Sequence, residues 1–415
     1  MFFEEGKEWG RSRRLISPHL NGHNVAAMIP VISKIGERFC AKIGKKADEG
    51  DPMAAREEFE RFTHDVIALA VFGMDVDCTS ATAGQASHSY DAIEVLTTAF
   101  GRLIRQPRNR FEWRFLPMMH WVRFTKWNAR RLKSVVQGVI DAVRLEDDAN
   151  ISADKRDNRA GGTLLRRIIG ATSARGGSNS DRMLLSDREV MHQATSLFIA
   201  GTETTALSLC WALYYLSKDR EALLRCRAEA LRVAPSSDGM VTASDQLAQL
   251  EFCSAVFKET LRLRTPAPLL ALNCTEDFTL KSGFVLEQGT GLIVLNRAAG
   301  TSDEFFTRGK EFVPERWIDA EREEALLGKG GVGSGKGSVA HEAEAILSFG
   351  HGPRICPGQD MAKAEGAIII AAICARFDVS MAPGQDDPPE EVSTFTLGPK
   401  ELDLIFTRRN KAGPD

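Results

Sequence analysis

From Val190 to Leu216 the chain is apolar on nearly every face of a helix. Ser186 with Glu189 three residues later has the spacing of a capping box, so a helix start is written immediately upstream. A rod of this kind is stable in water only when other elements wrap it, and the sequence therefore calls for a large helical body. No uninterrupted apolar stretch reaches bilayer length; the nearest, Ala367 to Cys374, reads as a buried helix core. The chain as given is expected to span no membrane.

Apolar residues at three-to-four spacing predict further helices over Trp9 to Leu20, Val25 to Ala47, Ala54 to Phe72 and Leu132 to Leu145. Beyond the central run, helices are predicted over Arg220 to Val233 and Leu250 to Leu263, the latter stopped by Pro266 and Pro268. The period then changes. Phe278 to Leu280, Phe284 to Leu286 and Leu292 to Leu295 are short apolar segments divided by glycines, which predicts a small strand-rich region over 269–300. A last helix is predicted from Gln359 to Phe377. Arg156 to Arg182, polar and glycine-bearing, reads as a loosely ordered connection, and 321–345 as a glycine-rich insert. The fold class is mainly α with a minor β region, in a single domain over 1–415.

Charge removes one class of function. Lysine and arginine total 53 against 56 acidic residues, a balance of -3, so no basic excess marks a nucleic-acid binder. The 8 cysteines form no CxxC pair, which points away from zinc knuckles and disulfide frameworks and toward a reducing compartment. Met1 to Arg14 is charged and opens into a helical pattern, unlike a signal peptide. Gly330, Gly335 and Lys336 half-match a phosphate-binding loop, but Gly337 stands where the magnesium-binding hydroxyl belongs, and the segment reads as a polar loop.

The most informative residues run from Phe349 to Gly358: Phe, Gly, His, Gly, Pro, Arg, Ile, Cys, Pro, Gly. Cys356 precedes a helix N-terminus, where the macrodipole favours a thiolate, and Arg354 two residues earlier adds positive potential. Gly352 and Gly358 remove side chains, allowing a flat cofactor close to the backbone. His351 reads as an exposed loop histidine. The pattern formed by Phe349, Gly352, Arg354, Cys356 and Gly358 resembles the haem-binding loop of the cytochrome P450 family. That resemblance implies haem b, with iron ligated axially by Cys356, Arg354 on a haem propionate and Phe349 beside the sulfur.

Other constellations match the same family in order. Ala200, Gly201, Thr202, Glu203, Thr204 and Thr205 put glycine and hydroxyls into an apolar helix, where glycine costs about 1 kcal/mol relative to alanine. From spacing alone this is a kink whose hydroxyls bond the preceding turn. The resemblance makes it the oxygen-activation groove, with Ala200 at the cofactor and Glu203 and Thr204 as proton-delivering acid and alcohol. Glu259 and Arg262, with Arg316 from the Pro314 to Trp317 segment, resemble a buried structural network bracing the cysteine loop. Trp9 and Arg13 resemble a helix reaching a haem propionate, although spacing alone equally fits an amphipathic surface helix. Leu269 to Asp277 lacks an arginine that many members place there.

In the family the Trp9 helix follows a hundred or more residues, so the resemblance implies a truncated chain that exposes apolar surface, with any membrane anchor encoded upstream. The implied activity is monooxygenation of an apolar small molecule with O2, using electrons from a reductase or ferredoxin. Lys7, Arg11 and Arg14 are candidate docking charges, against the alternative of a solvated face. A haem-thiolate isomerase or dehydratase needing no electrons, and a non-catalytic haem-binding fragment, stay open. The expected location is intracellular, at the endoplasmic reticulum surface if an anchor exists and otherwise cytoplasmic.

Overall fold

In the computed structural model, residues 4–80, 120–151, 164–165, 186–318, 347–393 and 396–409 are described. The first half carries α1 (Gly6–Ile16), α2 (Gly22–Ala26), α3 (Ile29–Glu49), β1 (Met53–Ala54), α4 (Ala55–Phe72), α5 (His120–Ile151) and α6 (Asp187–Lys218). There follow α7 (Arg220–Val233), α8 (Ser244–Leu247), α9 (Glu251–Leu263), the strands β2 (Leu270–Asn273), β3 (Phe278–Thr279), β4 (Val285–Leu286) and β5 (Gly291–Val294), and α10 (Asn296–Gly300). The last elements are α11 (Gln359–Arg376), β6 (Phe377–Met381), β7 (Glu391–Ser393), β8 (Leu397–Pro399) and β9 (Asp403–Arg408).

The apolar run is α6, started by the expected capping box: Ser186 Oγ accepts from the Glu189 N–H at 3.3 Å, and Glu189 Oε2 accepts from the Ser186 N–H at 2.7 Å. By length and composition it could cross a bilayer, but 67% of its most apolar window is buried within the fold. It packs most extensively on α4, while α11 packs on α7, α9, α3 and α6. Gly201 explains how α4 comes so close. A Cβ there would sit 2.3 Å from Ile67 Cγ1, so only a residue without a side chain lets the two rods touch.

Several boundaries move for local reasons. Pro18 turns the end of the first predicted helix into a 3-10 turn, Ser17–Leu20. Pro30 restarts the second as α3, separate from α2. The helix over Leu132 to Leu145 extends in both directions into α5. Phe377 is extended and opens β6 rather than closing α11. Within the connection expected over 156–182, only Leu164 and Leu165 are described, and both are helical and buried. The insert over 321–345 lies outside the described residues.

The strand content is wider than 269–300. β2 pairs with β5 and β3 with β4, but β1, β9 and β6 form a separate antiparallel sheet with Met53 opposite Leu404 and Val379 opposite Phe406. β7 and β8 make a further hairpin. In and beside the short strands β3 to β5, Phe278, Phe284, Val285, Ile293 and Leu295 are each more than half exposed.

Candidate functional site

The cysteine loop is a tight turn ahead of α11. Gly352 has φ of +68°, a left-handed conformation that favours glycine, and a Cβ there would meet no atom within 4 Å. At Gly358 a Cβ would lie 3.9 Å from the Cys356 sulfur, an ordinary van der Waals contact, so the glycine avoids no clash but leaves that side of the sulfur uncovered. The Cys356 N–H donates to the Phe349 carbonyl at 2.8 Å, which fixes the phenylalanine beside the cysteine. His351 is exposed, as expected.

The thiol's surroundings correct the sequence reading in two ways. Burial pushes the Cys356 thiol above its ordinary range, and this outweighs the Gly358 N–H and the charges of Arg13 and Lys363, which pull it down. Arg354 is not among the cations acting on the sulfur. Its guanidinium lies over the Trp9 ring, 4.5 Å from the centroid, and Nη2 donates to the Glu4 carbonyl at 2.9 Å. Trp9, Arg13 and Arg354 therefore converge, with Arg13 rather than Arg354 as the arginine that acts on Cys356. Arg11 pairs instead with Glu189 at the head of α6, next to a Gln193–Ser12 hydrogen bond of 3.1 Å, so it is not a free docking charge. Lys7 remains exposed.

On α6, Leu197, Ala200 and Thr204 share one face and are half-buried, as are Thr195, Ser196, Ile199 and Gly201 around them, whereas Thr205 to Tyr214 are buried. The hydroxyls bond the preceding turn: Thr202 Oγ1 donates to Phe198 at 2.9 Å and Thr204 Oγ1 to Ala200 at 2.8 Å. Glu203 and Thr204 do not act from one face. Adjacent helical residues are about 100° apart, and Glu203 turns toward α4, where Arg56 Nη2 reaches its Oε1 at 3.4 Å.

The Glu259 network assembles with every expected member and two more. Glu259 accepts from Arg262 Nε and Nη2 at 2.8 and 2.7 Å and from Arg316 Nε at 3.0 Å. Trp317 Nε1 adds a bond of 3.0 Å and the Val313 N–H one of 2.9 Å. The side chains of Glu259, Arg262 and Arg316 are fully buried. Arg262 Nη2 also donates to the Glu311 carbonyl at 2.8 Å, tying α9 to the segment that carries Arg316.

Sequence reasoning missed Arg56, Lys363 and Trp317. Trp317 lay inside a quoted motif and its indole N–H could have been counted; Arg56 and Lys363 carry no local signal. The donors present suit a flat iron-bearing group: one sulfur beside a glycine, cations and an indole from α1 and the loop, and a half-open face on α6. Among the described residues no group of three or more His, Cys, Asp or Glu could hold a bare metal ion.

Comparison with known proteins identifies the family and the fold. The family model described as Cytochrome P450 matches residues 1–406. The protein LUTEIN DEFICIENT 5, chloroplastic, of Arabidopsis thaliana is 25% identical, over 98% of this chain and 64% of that protein. Echinocystic acid 23-monooxygenase of Saponaria officinalis is 24% identical, over 98% of this chain and 72% of that protein. The chain thus spans about two thirds of the length of these relatives. In fold it resembles the heme domain of cytochrome P450DA, with a TM-score of 0.78 at 20% identity, covering 99% of this chain and 79% of that one.

Proposed function

The chain belongs to the cytochrome P450 family, whose cofactor is haem b on a cysteine sulfur, and we propose that it is a haem-thiolate monooxygenase acting on an apolar organic substrate. The observation that best supports this is Cys356 itself, its N–H held by Phe349, its sulfur beside Gly358, and Arg13 and Lys363 acting on it. Haem so bound activates O2 with electrons supplied from outside, one oxygen atom entering the substrate and the other leaving as water.

The chain's own residues then divide the remaining work. Cys356 would hold the iron. Arg354 and Arg13, with Trp9 between α1 and the loop, would hold the cofactor's carboxylates by charge-assisted bonds. Phe349, Gly352, Gly358 and Ala200 would close around its faces. Thr204 would hold a proton at Oγ1 on the half-open face of α6, and Glu203, buried against Arg56, would supply that proton from the α4 side. Glu259, Arg262 and Arg316 touch neither substrate nor cofactor in this scheme and keep the cysteine loop in place. The electron donor is a partner flavoprotein or ferredoxin, and the setting intracellular, in keeping with a relative named chloroplastic.

The test is the absorption spectrum of the reduced protein under carbon monoxide. A long-wavelength Soret band is expected, and C356S should lose it. NADPH consumption and product with a supplied reductase separate the monooxygenase from an isomerase or dehydratase, which would turn over without electrons, and from an inert haem binder. T204A should keep the band while product per NADPH falls by about 10²-fold.

A further inference from the structure

Lys363 lies on α11, one turn beyond Gln359, whose Oε1 its Nζ reaches at 3.4 Å. The same Nζ stands 5.3 Å from the centroid of the Phe349 ring, a cation held by the face of an aromatic quadrupole. Phe349 in turn accepts the Cys356 N–H at 2.8 Å. Ammonium, ring and cysteine thus form one connected unit on a half-buried surface. Burial pulls the Lys363 ammonium below its ordinary range, Asp360 and Cys356 pull it up, and Lys258 is the second cation that opposes it. Of the two cations that act on the sulfur, Arg13 has a part in holding the cofactor; Lys363 has none.

We propose that Lys363 is a tuning residue whose ammonium, seated on Phe349, draws electron density on the Cys356 sulfur toward itself and eases one-electron reduction of the iron held there. This rests on the haem-thiolate reading. The step is Fe(III) plus one electron from the external donor giving Fe(II), with no proton gained or lost by Lys363. A fixed positive charge in a partly desolvated place favours the state carrying the extra electron, and its loss must move the equilibrium the other way.

The experiment measures the midpoint potential of the holoprotein by optical titration for the wild type, K363Q, K363M and K363R, each checked for the long-wavelength carbon monoxide band. K363Q, and K363M with its stem kept over the ring, should retain the band while the equilibrium constant for reduction falls about tenfold, about 59 mV for one electron. K363R should stay with the wild type. An unchanged potential in the neutral variants, or an equal fall in K363R, overturns the proposal. A wild type lacking the band overturns the haem-thiolate reading instead, and the tuning role with it.

Discussion

Arg56 on α4 and Glu203 on α6 meet at 3.4 Å, with the Glu203 side chain only 4% exposed and the arginine 22% exposed. The acid is thereby anchored to a neighbouring helix and reaches solvent along a guanidinium, while the alcohol next to it in sequence faces elsewhere. Arg56 also holds Glu60 at 3.0 Å, so one side chain organises two carboxylates.

R56Q should therefore weaken both contacts and destabilise the fold by about 1–3 kcal/mol, since a buried carboxylate loses its charged donor. Urea midpoints of the wild type, R56Q and R56K measure this. If R56Q is as stable as the wild type, the pair is incidental.

Glu259 accepts five donor groups, two of them on Arg262 and one on Arg316. E259Q keeps the shape, removes the charge and turns an NH2 toward groups that can only donate. The expected loss is about 3–5 kcal/mol, because two guanidiniums stay buried without their anion. Urea unfolding reads the stability, and the Soret absorbance retained after gel filtration reads the effect on the cysteine loop, which should be large.

G201A forces a methyl group against Ile67, where a Cβ would lie 2.3 Å from Cγ1. Overpacking of this kind costs about 1–3 kcal/mol. The double variant G201A/I67A should recover part of the loss, giving a coupling energy in a double-mutant cycle that a backbone effect alone would not produce.

His64 is buried between Phe198, at a ring separation of 5.4 Å, and the Thr202 hydroxyl at 3.5 Å. Burial lowers its pKa from 6.5 to about 3. Between those values the unfolded chain binds a proton that the folded chain refuses. The stability it supports is thus complete above about pH 6.5 and declines as pH falls toward 3, by about 1.4 kcal/mol per pH unit. Comparing urea unfolding at pH 7 and pH 5 for the wild type and H64F tests this: the variant should lose the part of the slope due to one proton.

Legibility of the fold from sequence followed the range of the forces involved. The capping box and the bounds of α7 were readable because they depend on residues a turn apart. The terminal sheet was not assigned, although Phe377, Val379 and Met381 alternate with Asp378 and Ser380, a period of two that marks a strand. Its partners lie far off in sequence, Met53 against Leu404, and the polar proline-bearing stretch between β6 and β9 hid the pattern. At the site, motif residues were found because their spacing is local. Arg56, which meets Glu203 across 147 positions, could not be. The direction of the Cys356 shift was misjudged because burial is a property of the packed molecule, whereas helix dipole and neighbouring charge can be counted along the chain.

The Arg354 guanidinium closes on the Glu4 carbonyl across 350 positions. At about 5–20 residues per second on the ribosome, about 20 to 70 seconds separate the emergence of these two partners. The early helix that carries Trp9 and Arg13 waits through that interval for its partners, so on the haem-thiolate reading the prosthetic group can be received only after Arg354 and Cys356 have left the ribosome.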